Sequence, residues 1–314
     1  MATKKPKSSA KSKTAKSAKP KTASTTTAKS VSEAPAAKPA TIKTETITSK
    51  VEEKKPIFSG FFSKKYEEKE SVLTIFKNHR FYGALLGEVI GTMLITILLF
   101  CLSLMGLSSL ATYSFVVIAI FIGVYAFSGA CLNPIITAGM MATRRMSVIR
   151  GVMYIVAEVI GAWLGWLIVN SFQLAGGDSA YAVPAMAEIA EGKFMVVALI
   201  ELMAAIIVAF FYARAIKYKK SVFTFGAVVA GGFALVMVVS YVISAAFLGL
   251  SSNFIVNPAA ALMFQIFPTA GDNFGEIFGG ICQALSVYAI LPMIGGVVGF
   301  YLSDFTAKLS GSEE

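Results

Sequence analysis

Six long apolar runs constrain this chain of 314 residues more than any other feature. A helix needs about 20 mainly apolar residues to cross the hydrocarbon core of a bilayer, and each run is near that length. The predicted spans are 82–106, 111–128, 151–173, 194–213, 222–249 and 281–302. We therefore predict an all-α membrane protein with six transmembrane helices, whose two ends lie on the same side of the membrane.

The net charge of +10 belongs to an N-terminal tail rather than to this body. Residues 1–56 hold 14 Lys and 4 Glu, and the rest of the chain is neutral. The tail has almost no large apolar side chains, so we predict that it is disordered. Binding of the tail to anionic lipid is an open alternative, and nucleic-acid binding is the least favoured one. Residues 57–80 mix aromatic and charged side chains, which predicts an interfacial segment.

The side chains that most enzymes need are scarce. His79 is the single histidine, which excludes His-based triads and metal sites. Cys101, Cys131 and Cys282 are far apart and lack the spacing of metal ligands or of a disulfide framework. Only 15% of the residues are charged, against about 25% in soluble domains. We therefore expect neither an enzyme nor a cofactor nor a metal.

Two shorter apolar segments, 129–143 and 253–267, separate spans two and three and spans five and six. Backbone that enters a membrane without crossing it must be buried in protein or line a wet cavity. Each segment contains an Asn-Pro pair, Asn133-Pro134 and Asn257-Pro258. Because Asn caps free N–H groups and Pro suits the first helical turn, we predict two half-helices that open at these pairs and line a pore.

Basic residues near the membrane indicate the orientation, because short cytoplasmic loops carry an excess of Lys and Arg. Lys193 alone lies on one side. The basic residues on the other side are Lys77, Arg80, Arg144, Arg145, Arg150, Arg214, Lys217, Lys219, Lys220 and Lys308. Both termini and the loops 144–150 and 214–221 are therefore predicted to be cytoplasmic, with 174–193 and 250–280 outside.

The chain also repeats itself. Glu88 of the first span corresponds to Glu201 of the fourth, and Asn133 corresponds to Asn257. Three spans separate the members of each pair, so the two halves have inverted topology. The half-helix N-termini, which carry partial positive charge, would then meet near the midplane and favour neutral solutes over cations and protons. The predicted segments are the tail 1–56, the interfacial segment 57–80, a channel domain 81–303 with repeats 81–175 and 193–303, and a cytoplasmic C-terminus 304–314.

These motifs resemble those of the aquaporin and glycerol-facilitator family, the major intrinsic proteins. The first stands as FSGACLNPIITAG and the second as NFIVNPAAALMF, close to the family's SGxxxNPAxT and NPAR. The resemblance spans residues 80–303 and implies a six-helix inverted repeat with one pore per subunit, assembled as a homotetramer. It also implies that Glu88 and Glu201 support the re-entrant loops, and it places Glu158 where Gln is usual.

The resemblance further implies where the pore is narrow. The midplane motifs are Asn133-Pro134-Ile135 and Asn257-Pro258-Ala259, and the four filter positions, carried over by spacing, are Tyr113, Ala245, Phe254 and Ala260. Ile135 replaces Ala and adds bulk beside the midplane, whereas Ala260 replaces the Arg that binds solute and repels cations. Two aromatic residues with a small one resemble the glycerol-type filter, and Ala260 makes the opening wider and more apolar.

We therefore expect a passive channel in the cell membrane for small uncharged solutes such as glycerol, and for water, that excludes ions and protons. Three alternatives stay open. One is a strict water channel. Another is an ion- or proton-permeable pathway, motivated by Ala260 and Glu158, and the third is a scaffold whose pore is shut by Ile135 and Phe254. Glu158 is read either as a structural hydrogen-bond partner or as a proton-coupling or gating group.

Overall fold

The structure of the protein is a computed structural model that describes residues 72–105, 110–176, 192–217, 221–248, 254–266 and 273–310. All regular structure in these ranges is helical. The predicted tail and residues 57–71 of the predicted interfacial segment lie outside the described residues. The described end of that segment buries Ile75 in the main apolar cluster of the body.

Long helices follow the predicted spans, and two short ones follow the Asn-Pro pairs. In chain order the helices are α1 (Val72–Lys77), α2 (His79–Met105), α3 (Leu110–Ser128), α4 (Pro134–Ala142), α5 (Val148–Gly176), α6 (Phe194–Lys217), α7 (Val222–Leu248), α8 (Pro258–Ala261), α9 (Phe274–Leu285) and α10 (Leu291–Leu309). The π-helical turn Leu262–Ile266 extends α8, and the turn Ser286–Ile290 joins α9 to α10.

Five of the predicted spans are helices long and apolar enough to cross a membrane. They are α2, α5, α6, α7 and the joined α9 and α10. Helix α3 is also apolar but shorter over its described side chains, Ser114–Ser128. The sixth predicted span, 281–302, is shorter than the observed helix. Asn273 caps this helix eight residues before the predicted start, and Ala307 is still buried near its end. Residues 304–309 of the predicted C-terminal segment are therefore helical.

Helix α2 has its polar side chains inside and its apolar side chains outside. Glu88, Thr92 and Thr96 are buried along one face, and the opposite face exposes a stripe of large aliphatic residues. Its members are Leu86, Ile90 and Leu94. This arrangement fits a helix that meets lipid with its apolar face and the interior of a helix bundle with its polar face.

Glycines pack α5 on α2 and α10 on α6 in the same manner. A Cβ atom at Gly161 would meet the Val89 carbonyl, and one at Gly295 would meet the Leu202 carbonyl at 2.8 Å. The contact recurs one turn further on, in the pairs Gly165 with Met93 and Gly299 with Ile206. Val89 and Leu202 directly follow Glu88 and Glu201, the predicted counterparts. The two halves therefore share one packing arrangement, as the predicted repeat requires.

Ion pairs join the chain after α4 to the ends of α6 and α10. Asp304 Oδ1 accepts from Arg145 Nη2 at 2.5 Å and from Lys217 Nζ at 2.9 Å. The Arg145 guanidinium also lies over the Phe300 ring, 5.3 Å from its centroid. Since partly exposed pairs contribute about 0.2–1 kcal/mol each, this network positions a loop more than it stabilises the fold.

The close approach of α10 to α6 gives a first prediction. In Gly299→Ala the new Cβ would meet the Ala209 Cβ at 2.8 Å and the Phe210 N at 3.0 Å, and such overpacking costs about 1–3 kcal/mol. We expect a lower thermal unfolding midpoint in detergent. Gly279→Ala is the control, because nothing lies within 4 Å of its Cβ position. Equal midpoints for the two variants would contradict the packing described.

Candidate functional site

Each Asn-Pro pair begins a short helix after a non-helical segment. Asn133 has φ −162° and ψ 122°, and its Oδ1 accepts a hydrogen bond from the Ile135 N–H at 3.0 Å. Asn257 has φ −151° and ψ 101°, and its Oδ1 accepts from the Ala259 and Ala260 N–H groups at 3.1 and 3.3 Å. These are N-cap contacts, and a proline at the first helical position suits both helices. Both helices begin where the sequence predicts.

The two Asn side chains tie the segments to each other. Asn133 Nδ2 donates to the Val256 carbonyl at 2.8 Å, and Asn257 Nδ2 donates to the Leu132 carbonyl at 3.2 Å. Each Asn therefore bonds the residue that precedes the other Asn. Both side chains are buried, with 1% and 2% of their surface exposed. The N-termini of α4 and α8 thus meet in the interior of the helix bundle.

The residue before each Asn has a left-handed backbone. Leu132 has φ +55° and Val256 has φ +53°, a conformation that is unusual for any side chain and an outlier for a β-branched one. Such residues cost about 1–3 kcal/mol each and persist only where the surroundings impose them. At both positions this conformation accompanies a carbonyl that accepts from the opposite Asn.

Two buried carboxylates accept the N–H groups of the extended segments. Glu88 on α2 bonds the first segment and Glu201 on α6 bonds the second. The contacts are Glu88 Oε1 with Cys131 N (3.0 Å), Glu88 Oε2 with Leu132 N (2.6 Å), Glu201 Oε1 with Ile255 N (2.5 Å) and Glu201 Oε2 with Val256 N (3.1 Å). Because a buried N–H group without an acceptor is costly, these acids hold the segments in their non-helical form.

Glu158 on α5 adds an acid that the second half lacks. Its Oε1 accepts from the Asn133 N–H at 3.2 Å and from the Thr137 hydroxyl at 2.6 Å, whereas its Oε2 is buried with no hydrogen-bond partner among the described residues. The equivalent position on α10, three residues before Gly295, is Pro292. Among the described residues no group of three His, Cys, Asp or Glu side chains could hold a metal ion, so we assign Glu158 to no metal site.

Two tyrosines donate to carbonyl groups at the junction of α3 and the first segment. Tyr154 on α5 donates to the Ser128 carbonyl at 3.0 Å, and Tyr212 on α6 donates to the Gly129 carbonyl at 2.8 Å. Both phenols are fully buried. No sequence motif marks Tyr212, although it lies three helical turns after Glu201 and therefore on the same face of α6.

The structure does not bring the four predicted filter residues into one described cluster. Tyr113 lies on α3, but its side chain is outside the described part of the structure. Ala245 is partly exposed on α7. Phe254 is buried in the main apolar cluster, whereas Ala260 is buried in a second cluster beside Phe264. The filter assignment therefore stays a prediction.

The bulk of Ile135 has a place in the packing. A Cβ atom at Gly296 of α10 would meet the Ile135 carbonyl and, at 2.9 Å, its Cγ2. The equivalent residue in the second half, Ala259, shares a cluster with Ala162 of α5. The large Ile135 beside Gly296 in the first half thus corresponds to the small Ala259 beside Ala162 in the second half. Ile135 occupies space that Gly296 leaves on α10.

Comparison with known proteins identifies relatives of this chain. The family model described as major intrinsic protein matches residues 75–302. The chain is 42% identical over 59 residues to the probable aquaporin PIP2-5 of Arabidopsis thaliana, which covers 18% of this chain and 21% of that protein. It is 42% identical over 57 residues to aquaporin PIP2-5 of Oryza sativa subsp. japonica, with 17% and 20% covered. The chain therefore spans about a fifth of the length of the curated relatives it matches.

A solved structure resembles the whole helical body. The aquaglyceroporin from Plasmodium falciparum superimposes with a TM-score of 0.53 at 16% sequence identity, covering 73% of this chain and 97% of that one. At that identity the likeness establishes the fold alone.

The acid contacts give a second prediction. Glu201→Leu leaves the Ile255 and Val256 N–H groups buried without their acceptor, at about 1–3 kcal/mol for each group. We expect a lower unfolding midpoint in detergent and a lower folded yield. Glu201→Gln keeps one acceptor oxygen and should lose less stability. A Leu variant as stable as the wild type would show that the carboxylate does not hold the segment.

Proposed function

Because the chain belongs to the major intrinsic protein family, we propose that this multi-pass membrane channel conducts small uncharged solutes of the glycerol type, together with water, and excludes ions and protons. One observation carries the proposal. The side chains of Asn133 and Asn257 cap two short helices and bond each other's segments. This geometry brings donor groups from both halves of the chain to one point in the interior of the helix bundle.

The Asn pair offers donors to a passing solute. Each carboxamide has two N–H hydrogens, and one of them bonds the opposite carbonyl. The second can donate to the oxygen of a water molecule or of a hydroxyl group. The N-termini of α4 and α8 carry partial positive charge, which repels a cation at the same point. Donors combined with positive potential favour a neutral solute.

The two segments offer acceptors. Glu88, Glu158 and Glu201 take N–H groups of the two segments, and we propose that carbonyl groups of the same segments are open to a solute. A hydroxyl group of the solute can donate to these carbonyls while its oxygen accepts from Asn. A polyol therefore replaces the hydrogen bonds that it loses on leaving water, whereas a cation also meets the positive potential of the two helix N-termini.

The predicted outer filter favours a solute larger than water. Ala260 has no charged group and lies in an apolar cluster with Phe264, and Ala245 is small. Tyr113 and Phe254 supply aromatic surface for the carbon atoms of a polyol. We propose that selection against charge depends mainly on the Asn pair and the two helix N-termini.

Ion or proton permeation is the second candidate function. The buried Oε2 of Glu158, which has no partner among the described residues, favours it, as does the absence of a filter Arg at Ala260. The scaffold alternative has less support, because Ile135 packs against Gly296.

We also propose an orientation and an assembly. The excess of Lys and Arg in the loops after α4 and α6 puts both termini in the cytoplasm, with the channel in the cell membrane. The family resemblance supports a homotetramer. The Lys-rich tail would lie near the inner leaflet, where anionic lipid attracts it.

Stopped-flow light scattering on proteoliposomes tests the function. We expect rapid osmotic shrinkage followed by rapid reswelling in glycerol, because the Asn donors and the carbonyl acceptors match a polyol. Empty liposomes are the control. Fast shrinkage without reswelling would indicate a strict water channel. Current across a planar bilayer in proportion to reconstituted protein would support the ion pathway instead.

A variant at the predicted filter tests selection by size. Ala260→Arg should narrow the opening and lower the flux of polyols larger than glycerol, while water flux changes little. The measurement is reswelling in a series of polyols of increasing length. Unchanged selectivity would mean that Ala260 does not line the filter.

A further inference from the structure

We propose that α9 (Phe274–Leu285) is a docking surface for a second copy of this chain. Two copies in one membrane pair their α9 helices side by side, through the face that carries Phe274, Phe278 and Cys282. This inference goes beyond the proposed channel function, because it assigns a contact between copies and holds whatever solute the channel conducts.

Helix α9 projects beyond the start of its neighbour α6. Gly295 of α10 lies against Leu202 of α6, and Gly299 lies against Ile206 one turn further on, so the two helices are parallel. Helix α6 begins eight residues before Leu202, whereas α9 begins 21 residues before Gly295. The last helix therefore extends 13 residues past the start of α6, or about 20 Å.

Charged residues place α9 outside the hydrocarbon core of the bilayer. Lys193 precedes α6 and Arg214 lies in its last turn, 21 residues later, a rise of about 31 Å that matches the thickness of the core. On the last helix the residue level with Lys193 is Ser286, because each lies nine residues before the contact of Leu202 with Gly295. All of α9 lies beyond that level. Lipid tails therefore do not cover its apolar face.

One face of α9 is aromatic and exposed. Phe274 is 80% exposed and Phe278 is 56% exposed, and their rings stack with centroids 5.8 Å apart. Cys282 is exposed one turn further on, on the same face, whereas the Glu276 carboxylate lies on the other side of the helix. Ala284 is the one buried residue of α9. An exposed apolar patch with a polar rim is typical of an interaction site.

A second copy has the geometry that this face requires. Copies of a membrane protein share one orientation, so their α9 helices are parallel and stand at the same height above the bilayer. The stacked rings of Phe274 and Phe278 in one copy therefore face the same rings in the next. The same patch meets itself, as in an isologous contact, and offset or edge-to-face packing of the four rings stabilises it.

The contact is small, but the membrane makes a small contact sufficient. Helix α9 has 12 residues and is about 18 Å long, so its face buries less than the roughly 800 Å² per partner of a typical soluble interface. Copies confined to one membrane meet at a high effective concentration, which compensates for part of the missing area. Helix α9 thus fixes how two neighbouring copies face each other.

Cross-linking through Cys282 tests the contact. In Cys101→Ser, Cys282 is the one exposed thiol, because Cys131 is buried. We expect a short bismaleimide to give a covalent dimer of the full chain in proteoliposomes. In the matched control, Cys282→Ser with Gln283→Cys turns the thiol about 100° around the helix, and the dimer yield should fall severalfold. Equal yields would indicate random collisions and would overturn the proposal.

Removal of the rings tests what stabilises the contact. Phe274→Ser combined with Phe278→Ser should lower the dimer yield at Cys282 about tenfold, because burial of even one phenylalanine side chain favours association by such a factor. Phe305→Ser is the matched control, since it removes a phenylalanine that is 57% exposed near the other end of the same long helix. An unchanged yield in the double variant, or an equal fall in the control, would contradict the pairing.

Labelling with a monofunctional maleimide shows what covers Cys282. We expect the thiol to react faster in the double phenylalanine variant than in the protein with both rings, because the partner no longer shields it. A thiol that reacts readily in the presence of both rings but forms no dimer, or that stays unreactive in both proteins, would show that no second copy covers α9. Glycerol and water flux test the channel function separately, because no residue of α9 belongs to the proposed pore.

Discussion

The hydrogen bonding of backbone N–H groups in two non-helical segments is the constraint on which the rest of this structure depends. Backbone that is not helical lacks the intrahelical partners that satisfy N–H groups at membrane depth. Glu88, Glu158 and Glu201 supply the acceptors from α2, α5 and α6, on one side of each segment. The carbonyl groups of Leu132 and Val256 accept instead from the opposite Asn side chain. These hydrogen bonds explain why apolar helices contain buried carboxylates.

The two segments also form hydrogen bonds with each other. Each Asn caps its own short helix with Oδ1 and bonds the opposite segment with Nδ2. The carbonyl that receives this bond belongs to a residue with positive φ, Leu132 or Val256. Two strained residues are tolerated because they place the two helix N-termini at one point. The positive potential there depends on this arrangement.

The two halves share one helix packing and differ in the side chains at equivalent positions. The glycine contacts of α5 with α2 and of α10 with α6 are equivalent, so the helices of both halves pack alike. The side chains at equivalent positions differ in polarity or volume. The pairs are Glu158 with Pro292, Tyr212 with Leu99, and Ile135 with Ala259. An internal repeat can thus conserve helix packing while the contacts around its two short helices differ.

The sequence by itself determined the spans, the two Asn-Pro helices and the pairing of Glu88 with Glu201, because apolar run length, helix capping and repeat spacing are local properties. The end of the last helix was not predicted, because hydropathy falls at Asp304 whereas burial continues to Ala307. Only the tertiary structure decided which distant residues contact each other. Tyr212 reaches Gly129, Glu158 reaches Asn133 and Ile135 packs on Gly296 through contacts between residues far apart in the chain, which no local pattern specifies.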